Sequence, residues 1–340
     1  MAIAPTLSDT ADTGEPRHPY RWAMLGGVWL LYFAFAASIA SIAPLVYRVM
    51  LDLGMNRAEM GTVLAAWQLT YIFCSVPCGG LLDKFGPRRT MFAAVLVIAV
   101  SVALRGFASD YVTLLLAVMV FGIGGPLISS GAPKVVAVWF TGKERGFAMG
   151  IYFTGNATGG IVTVALTNSL FLPAMGGSWR DLMFGYAAFI VVAGIIWLMI
   201  SAHPASRAME EKLKAEPKKR SRDVFLELIK DPIVRLVLLM GLFILFYNHG
   251  MNHWLPDLLR SYGMTPVEAG YWAAIPTLFG MIASLSLPRM ATPEWRFKIL
   301  CGLFICAAIA ALMVWAASGP LLAVGLVLQG MCRGAMTSIS

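Results

Sequence analysis

Arg333 stands about thirteen residues into the apolar run 320–340, with Gln329 one helical turn before it. On a helix that depth is roughly 20 Å along the axis. An ionised side chain at membrane depth is costly and points to function. A guanidinium there suits an anion held through paired N–H donors; the alternative is a structural bond to backbone carbonyls. A second polar group, Tyr247, Asn248, His249, Asn252 and His253, interrupts the run 232–256. His249 and His253 share a helix face, as do Asn248 and Asn252. Such residues suit an access path or gate, and imidazoles carry a proton near neutral pH; packed or interfacial histidines are the plainer reading. Lys134 lies five residues before Trp139. It either meets a solute at depth or lets its stem snorkel to the membrane surface. Trp67, Gln68 and Tyr71 in the run 59–82, and Tyr32 in the run 22–47, are candidate cavity liners, with packing or the aromatic belt as alternatives.

All 18 acidic residues fall in polar gaps or at the ends of runs. A positive site at depth without a negative one favours an anionic solute over a cation. Catalysis is not indicated: no nucleophile sits beside a base, no metal cluster or phosphate loop is visible, and Gly122-x-Gly124 precedes no strand-to-helix turn. No cofactor is expected. The 5 cysteines all lie in apolar runs and are odd in number, so they read as small packing residues rather than a disulfide framework or zinc site.

The elements that must position these residues follow from composition. Of 340 residues 59% are hydrophobic and 13% charged, against about 25% charged in an average soluble domain. Mean hydropathy is +0.74. Such a chain needs lipid as solvent. Runs long enough to cross a bilayer, about 20 residues, lie at 22–47, 59–82, 90–108, 111–140, 146–171, 180–202, 232–256, 267–287, 297–317 and 320–340. They must be helices, because only a helix satisfies its own backbone in hydrocarbon. With the N-terminus inside and sides alternating, eighteen Lys and Arg fall in inner segments and five, Arg48, Arg57, Arg105, Arg180 and Arg260, in outer ones. The net charge of +8 is therefore a topology signal rather than a nucleic-acid footprint. The polar residues 1–20 lack the plan of a signal peptide. Asn56-x-x-Glu59, Thr141-x-x-Glu144 and Thr265-Pro266-x-Glu268 each read as a helix cap.

Gly54-Met55-x-x-x-Glu59-x-Gly61 repeats as Gly263-Met264-x-x-x-Glu268-x-Gly270, each copy just before an even-numbered run. The pattern is six crossings (21–202), a basic linker (203–231) and a second related part (232–340) with four. Parallel repeats of this kind place a solute path at the repeat interface.

Gly80-Leu81-Leu82-Asp83-Lys84-Phe85-Gly86-Pro87-Arg88-Arg89 resembles the inter-helix loop of the major facilitator superfamily. Its glycines are expected to make the turn. Asp83 is expected to pair with a cation and Arg88 and Arg89 to meet the headgroups. The resemblance implies a conformational latch formed by Gly80, Asp83, Lys84, Gly86, Arg88, Arg89, Glu144 and Arg145. Gly122-Ile123-Gly124-Gly125-Pro126 and Trp139-Phe140-x-x-x-Glu144-Arg145-Gly146 are similar to the anion-porter branches, which carry organic anions, nitrate or cyanate. Trp254-Leu255-Pro256-x-Leu258-Leu259 is similar to the cyanate-porter-like group. Gly155-Asn156-x-x-Gly159-Gly160 resembles an antiporter signature, with Asn156 in place of proline. The family normally has twelve crossings, and the tenth is still running at Ser340.

The expectation is an all-α polytopic membrane protein of major facilitator fold with two six-helix halves, the second incomplete. It implies a secondary transporter of a small anionic solute working by alternating access in a bacterial inner membrane. Partners would be lipid, the anion, and a co-transported proton or counter-anion, in a monomer without nucleic acid. A drug exporter of the same fold, or a non-transporting sensor or scaffold, are the alternatives.

Overall fold

The computed structural model describes residues 18–215, 230, 232–286, 296–316 and 319–339. Most of the N-terminal tail and the middle of the basic linker lie outside the described residues. Among the described residues the chain is helical and has no strand. The first crossing combines α1 (Arg21–Ala40), a 3-10 turn (Ala43–Leu45) and α2 (Val46–Asp52). Then follow α3 (Arg57–Phe85), α4 (Pro87–Gly106), α5 (Tyr111–Trp139) and α6 (Gly142–Leu166). A π turn (Thr167–Phe171) leads α6 into the one-turn α7 (Leu172–Ala174), followed by α8 (Trp179–Ser201) and α9 (Pro204–Ala215). The last four are α10 (Pro232–Ser261), α11 (Pro266–Ser286), α12 (Arg296–Trp315) and α13 (Pro320–Ile339). Among the described residues, eight segments are long and apolar enough to span a bilayer. The other two of the ten expected runs, α11 and α13, are helices of 21 and 20 residues that carry Thr277, Ser284, Gln329 and Arg333.

Two expected caps form. Asn56 accepts from the Glu59 N–H and Glu59 answers at the Asn56 N–H, both at 2.9 Å. Glu268 accepts from the Thr265 N–H at 2.9 Å, and Thr265 Oγ1 accepts in return at 3.2 Å. The third does not: Thr141 makes no side-chain cap, and the Glu144 carboxylate pairs with Arg21 of α1 at 3.1 Å. The first glycine of each repeat copy, Gly54 and Gly263, has a positive φ of 63° and 93°. That backbone strains other residues, so the repeat preserves a turn.

The expected loop from Gly80 to Arg89 is much shorter in the structure. α3 runs through Phe85 and α4 starts at Pro87, so the turn is Gly86 alone, with φ 81° and ψ 161°. Gly80 lies within α3 and makes no turn.

α1 to α8 share one hydrophobic core that runs from Met24 to Trp197 and includes the fully buried Phe121 and Phe140. A separate core joins Leu255, Leu259, Ala269, Val314 and Leu326. Small residues let backbones touch, as in membrane bundles generally. A Cβ on Gly155 or Gly159 would come within 2.5 or 2.3 Å of the Trp29 or Phe33 carbonyl oxygen of α1. In the second bundle, a Cβ on Gly330 or Gly334 would meet the Pro276 or Gly280 oxygen at 2.2 or 1.9 Å.

Candidate functional site

A cavity of about 530 Å³ opens between the two bundles. One wall is α1 and α6, through Ile39, Phe153, Thr154, Asn156 and Gly160; the other is α10, α11 and α13, through Asn248, His249, His253, Thr277, Ser284 and Arg333. The polar residues expected on separate runs therefore converge. Arg333 is 8% exposed and donates from Nη2 to Thr277 Oγ1 at 2.9 Å. The bond fixes the guanidinium across the touching backbones of α11 and α13.

His249 and His253 stack with ring centroids 5.9 Å apart and planes at 16°. Trp67 of α3 sets its ring edge-on to His249 at 5.5 Å. Call the end carrying Arg21, Arg88 and Arg145 the basic end, and the opposite end distal. Beyond the histidines, α10 closes on the first bundle at the distal end. Asp257 pairs with Arg57 at 3.5 Å, Arg260 lies 4.2 Å from the Tyr47 ring centre, and Gly61 faces Trp254. Gly270 abuts the Val164 carbonyl, 2.6 Å from where a Cβ would be. Both closing glycines of the repeat thus sit on the seam between the bundles.

Several candidates lie elsewhere. Lys134 is not among the cavity liners: its ammonium is bonded to Asp83 of α3, a partner 51 positions away in sequence. Two further candidates of the expected latch also take partners from other helices: Glu144 pairs with Arg21 at 3.1 Å, and the Arg88 carbonyl accepts from Trp197 Nε1 at 3.2 Å. Lys84, Arg89 and Arg145 are exposed. Gln329 is fully buried and off the cavity wall, and among the described residues neither amide atom has a hydrogen-bond partner. Tyr247 donates to the Ala307 carbonyl of α12 at 3.3 Å, facing away from the cavity. Tyr71 bonds Ser129 Oγ of α5 and Tyr32 reaches the Ser129 carbonyl at 3.4 Å, and neither lines the cavity. Gln68 is half-buried and absent from the lining. The Asn252 side chain lies outside the described residues.

Sequence reasoning missed two things. Arg105, assigned to an outer segment, is 3% exposed. It turns into the first bundle to donate to the Ser38 carbonyl at 2.8 Å and Ser41 Oγ at 2.9 Å. The serines needed for this stand together at the end of α1, 67 and 64 positions from Arg105, which gives no local signal. Thr154, Asn156, Thr277 and Ser284 also enter the wall; Asn156 was visible only as a departure from the glycine signature.

The sequence profile described as Major Facilitator Superfamily matches residues 28–340. The chain belongs to this superfamily. It is 28% identical over 286 residues to the probable L-galactonate transporter of Escherichia coli K12, covering 79% of this chain and 61% of that protein. To the probable galactarate/D-glucarate transporter of the same strain it is 24% identical over 312 residues, 82% of this chain and 68% of that one. The crystal structure of a bacterial homologue of the human lysosomal transporter Spinster, inward-facing and unoccupied, shares the fold: TM-score 0.70 at 18% identity, over 95% of this chain and 75% of that one. The chain spans about six-tenths of the first relative's length, 61%. It is a membrane-spanning superfamily member with the expected all-helical fold.

Proposed function

We propose that the protein is a secondary transporter that carries a small organic anion by alternating access, with Arg333 as the counter-charge in the solute path. One observation carries this. The cavity between the bundles holds Arg333 and, among the described lining residues, no carboxylate. A guanidinium at the cavity wall suits an anion through paired N–H donors, and Thr277 on α11 holds it in place there. The names of the relatives point to the solute class, a sugar acid such as galactonate. Thr154, Asn156, Asn248 and Ser284 supply the hydroxyl and amide groups that a polyhydroxylated carboxylate needs along the same cavity.

The bundles are assigned to 21–202 and 232–340, joined by the cytoplasmic linker 203–231. The basic end is taken as cytoplasmic, following the charge asymmetry, which makes the closed distal seam the outer gate. The chain works as a monomer in a bacterial inner membrane, either carrying its anion together with a proton or exchanging it for a counter-anion. Asp83, Lys134, Glu144 and Arg21, with Gly86 at the turn, form the inner latch. Trp67, Tyr71 and Tyr32 support the site from outside the cavity lining.

Uptake of labelled galactonate into proteoliposomes tests the reading. It should saturate, and Arg333→Ala should lower it at least about tenfold, since a hydrogen bond to a charged group is worth about 1.5–3 kcal/mol. No uptake of any sugar acid, uptake unchanged by Arg333→Ala, or equal transport of uncharged drugs would overturn it.

A further inference from the structure

Arg57 and Pro266 occupy the same place in the two copies of the repeat, and each is the first residue of its helix. Each also meets the opposite bundle. Arg57 of α3 pairs with Asp257 of α10 at 3.5 Å. Pro266 of α11 offers its carbonyl to Asn168 of the first bundle, which donates to it from Nδ2 at 3.3 Å. The distal seam is thus tied at two places related by the repeat, once by charge and once by a neutral hydrogen bond. The ionic tie is weak, because the Arg57 side chain is 68% exposed and water screens it.

Asn168 stands in the π turn that follows α6, and turns of this kind recur at functional sites. The turn is anchored in its own bundle: the fully buried Thr167 bonds the Tyr186 hydroxyl of α8 at 2.7 Å. The Asn168 amide nitrogen donates a second bond, at 3.1 Å, to the Pro44 carbonyl of the 3-10 turn in the first crossing. An amide carries two N–H donors, so one serves each bundle. The bond to Pro44 stays inside the first bundle and keeps the amide aimed. Of the two, only the bond to Pro266 spans the seam. Val164 lies one turn before Asn168 along the chain, and Gly270 one turn after Pro266. A Cβ on Gly270 would come within 2.6 Å of the Val164 carbonyl oxygen. The glycine lets α6 and α11 touch, and the asparagine closes the next turn outward. Val164 still lines the cavity, so Asn168 lies one turn beyond it on the distal side.

Building on the transport reading, we propose that Asn168 is the positioning residue of the distal gate: its bond to Pro266 forms when the seam shuts, breaks when it opens, and sets the ratio of the two forms. Parting the seam exchanges one protein hydrogen bond for a bond to water, while the Pro44 bond is kept. One neutral bond is worth about a two- to tenfold shift in the shut-to-open ratio. That is enough to bias the empty protein and little enough for a bound solute to override.

The test is the distance across the seam, read by electron spin resonance between labels at Leu51 and Ser261, both exposed at the distal end on opposite bundles. Labels carried on keto side chains leave the 5 cysteines in place. No solute is needed, so the reading does not depend on which anion the protein carries. Asn168→Leu, similar in size and without donors, should lower the shut-to-open ratio about two- to tenfold. Asn168→Asp, whose carboxylate only accepts and would face both carbonyls, should lower it at least as far, and it carries the test if the leucine variant does not fold. Gly270→Ala should part the same helices by contact. Asn168→Leu added to it should then change the ratio little further, because the bond is already lost. Unchanged distances in Asn168→Asp overturn the proposal. So does a full further shift when Asn168→Leu is added to Gly270→Ala, which would mean that the asparagine acts elsewhere than at Pro266. Absence of wild-type galactonate counterflow beside the expected distance shifts is a different result: it removes the anion reading and leaves the gate.

Discussion

Replacing Gly334 by alanine tests whether the α11–α13 seam sets the position of Arg333. The new Cβ would lie 1.9 Å from the Gly280 oxygen and 2.6 Å from its carbonyl carbon, where ordinary contact begins at 3.4 Å. The obstacle is backbone on a helix, not a flexible side chain, so α11 and α13 must move apart by about 1.5 Å. They cannot do so at one point. Gly330 already touches the Pro276 oxygen one turn away, and separation loosens that contact as well. Overpacking of this sort costs about 1–3 kcal/mol. The same movement would stretch the 2.9 Å bond from Arg333 to Thr277 past hydrogen-bond range, so galactonate affinity should fall with stability. The assay is thermal unfolding in detergent beside galactonate binding. Gly302→Ala in α12 is the control, because its Cβ would meet nothing within 4 Å. If Gly334→Ala is as stable as wild type, or Gly302→Ala loses as much, the close-approach argument fails.

Three further outcomes are expected. Trp197→Ala should destabilise the first bundle by about 3–5 kcal/mol in thermal unfolding, since the indole is fully buried, fills the space over Gly27 and bonds the Arg88 carbonyl. Asp257→Asn should shift the distal end toward the open form only slightly, by less than about 1 kcal/mol, because the Arg57 side chain is 68% exposed; spin-label distances across the seam would report it. At the start of α5 the Thr113 backbone N–H holds the Asp110 carboxyl below its ordinary range. A lowered folded-state value means that this cap is fully present above the usual carboxylate range and is lost only as pH falls through the depressed value. Asp110→Ala should therefore narrow the stability difference between neutral pH and about pH 3, read as unfolding temperature against pH.

Much of the molecule is legible in the chain itself. Apolar runs must be helices in lipid, and the run at 59–82 became α3 whatever its neighbours were. Caps at Asn56 and Thr265 are local, since donor and acceptor lie three residues apart, and both formed. Arg333 stood out because a charge deep in an apolar run has no local excuse. The structure adds what depends on distance in space. Thr141 had the same cap pattern as the others, yet forms no side-chain cap, and Glu144 pairs with Arg21 of α1. Lys134 gave an ambiguous reading until α3 brought Asp83 beside it. The length of an apolar run says nothing of which face meets the other bundle. It could not tell that Gln329 turns away from the cavity while Asn156 and Thr277 turn into it. Local hydrogen bonding and solvent preference fixed the helices. Which side chains share the cavity, and which cations find carboxylates, was decided only by packing, because those energies arise between residues up to two hundred positions apart.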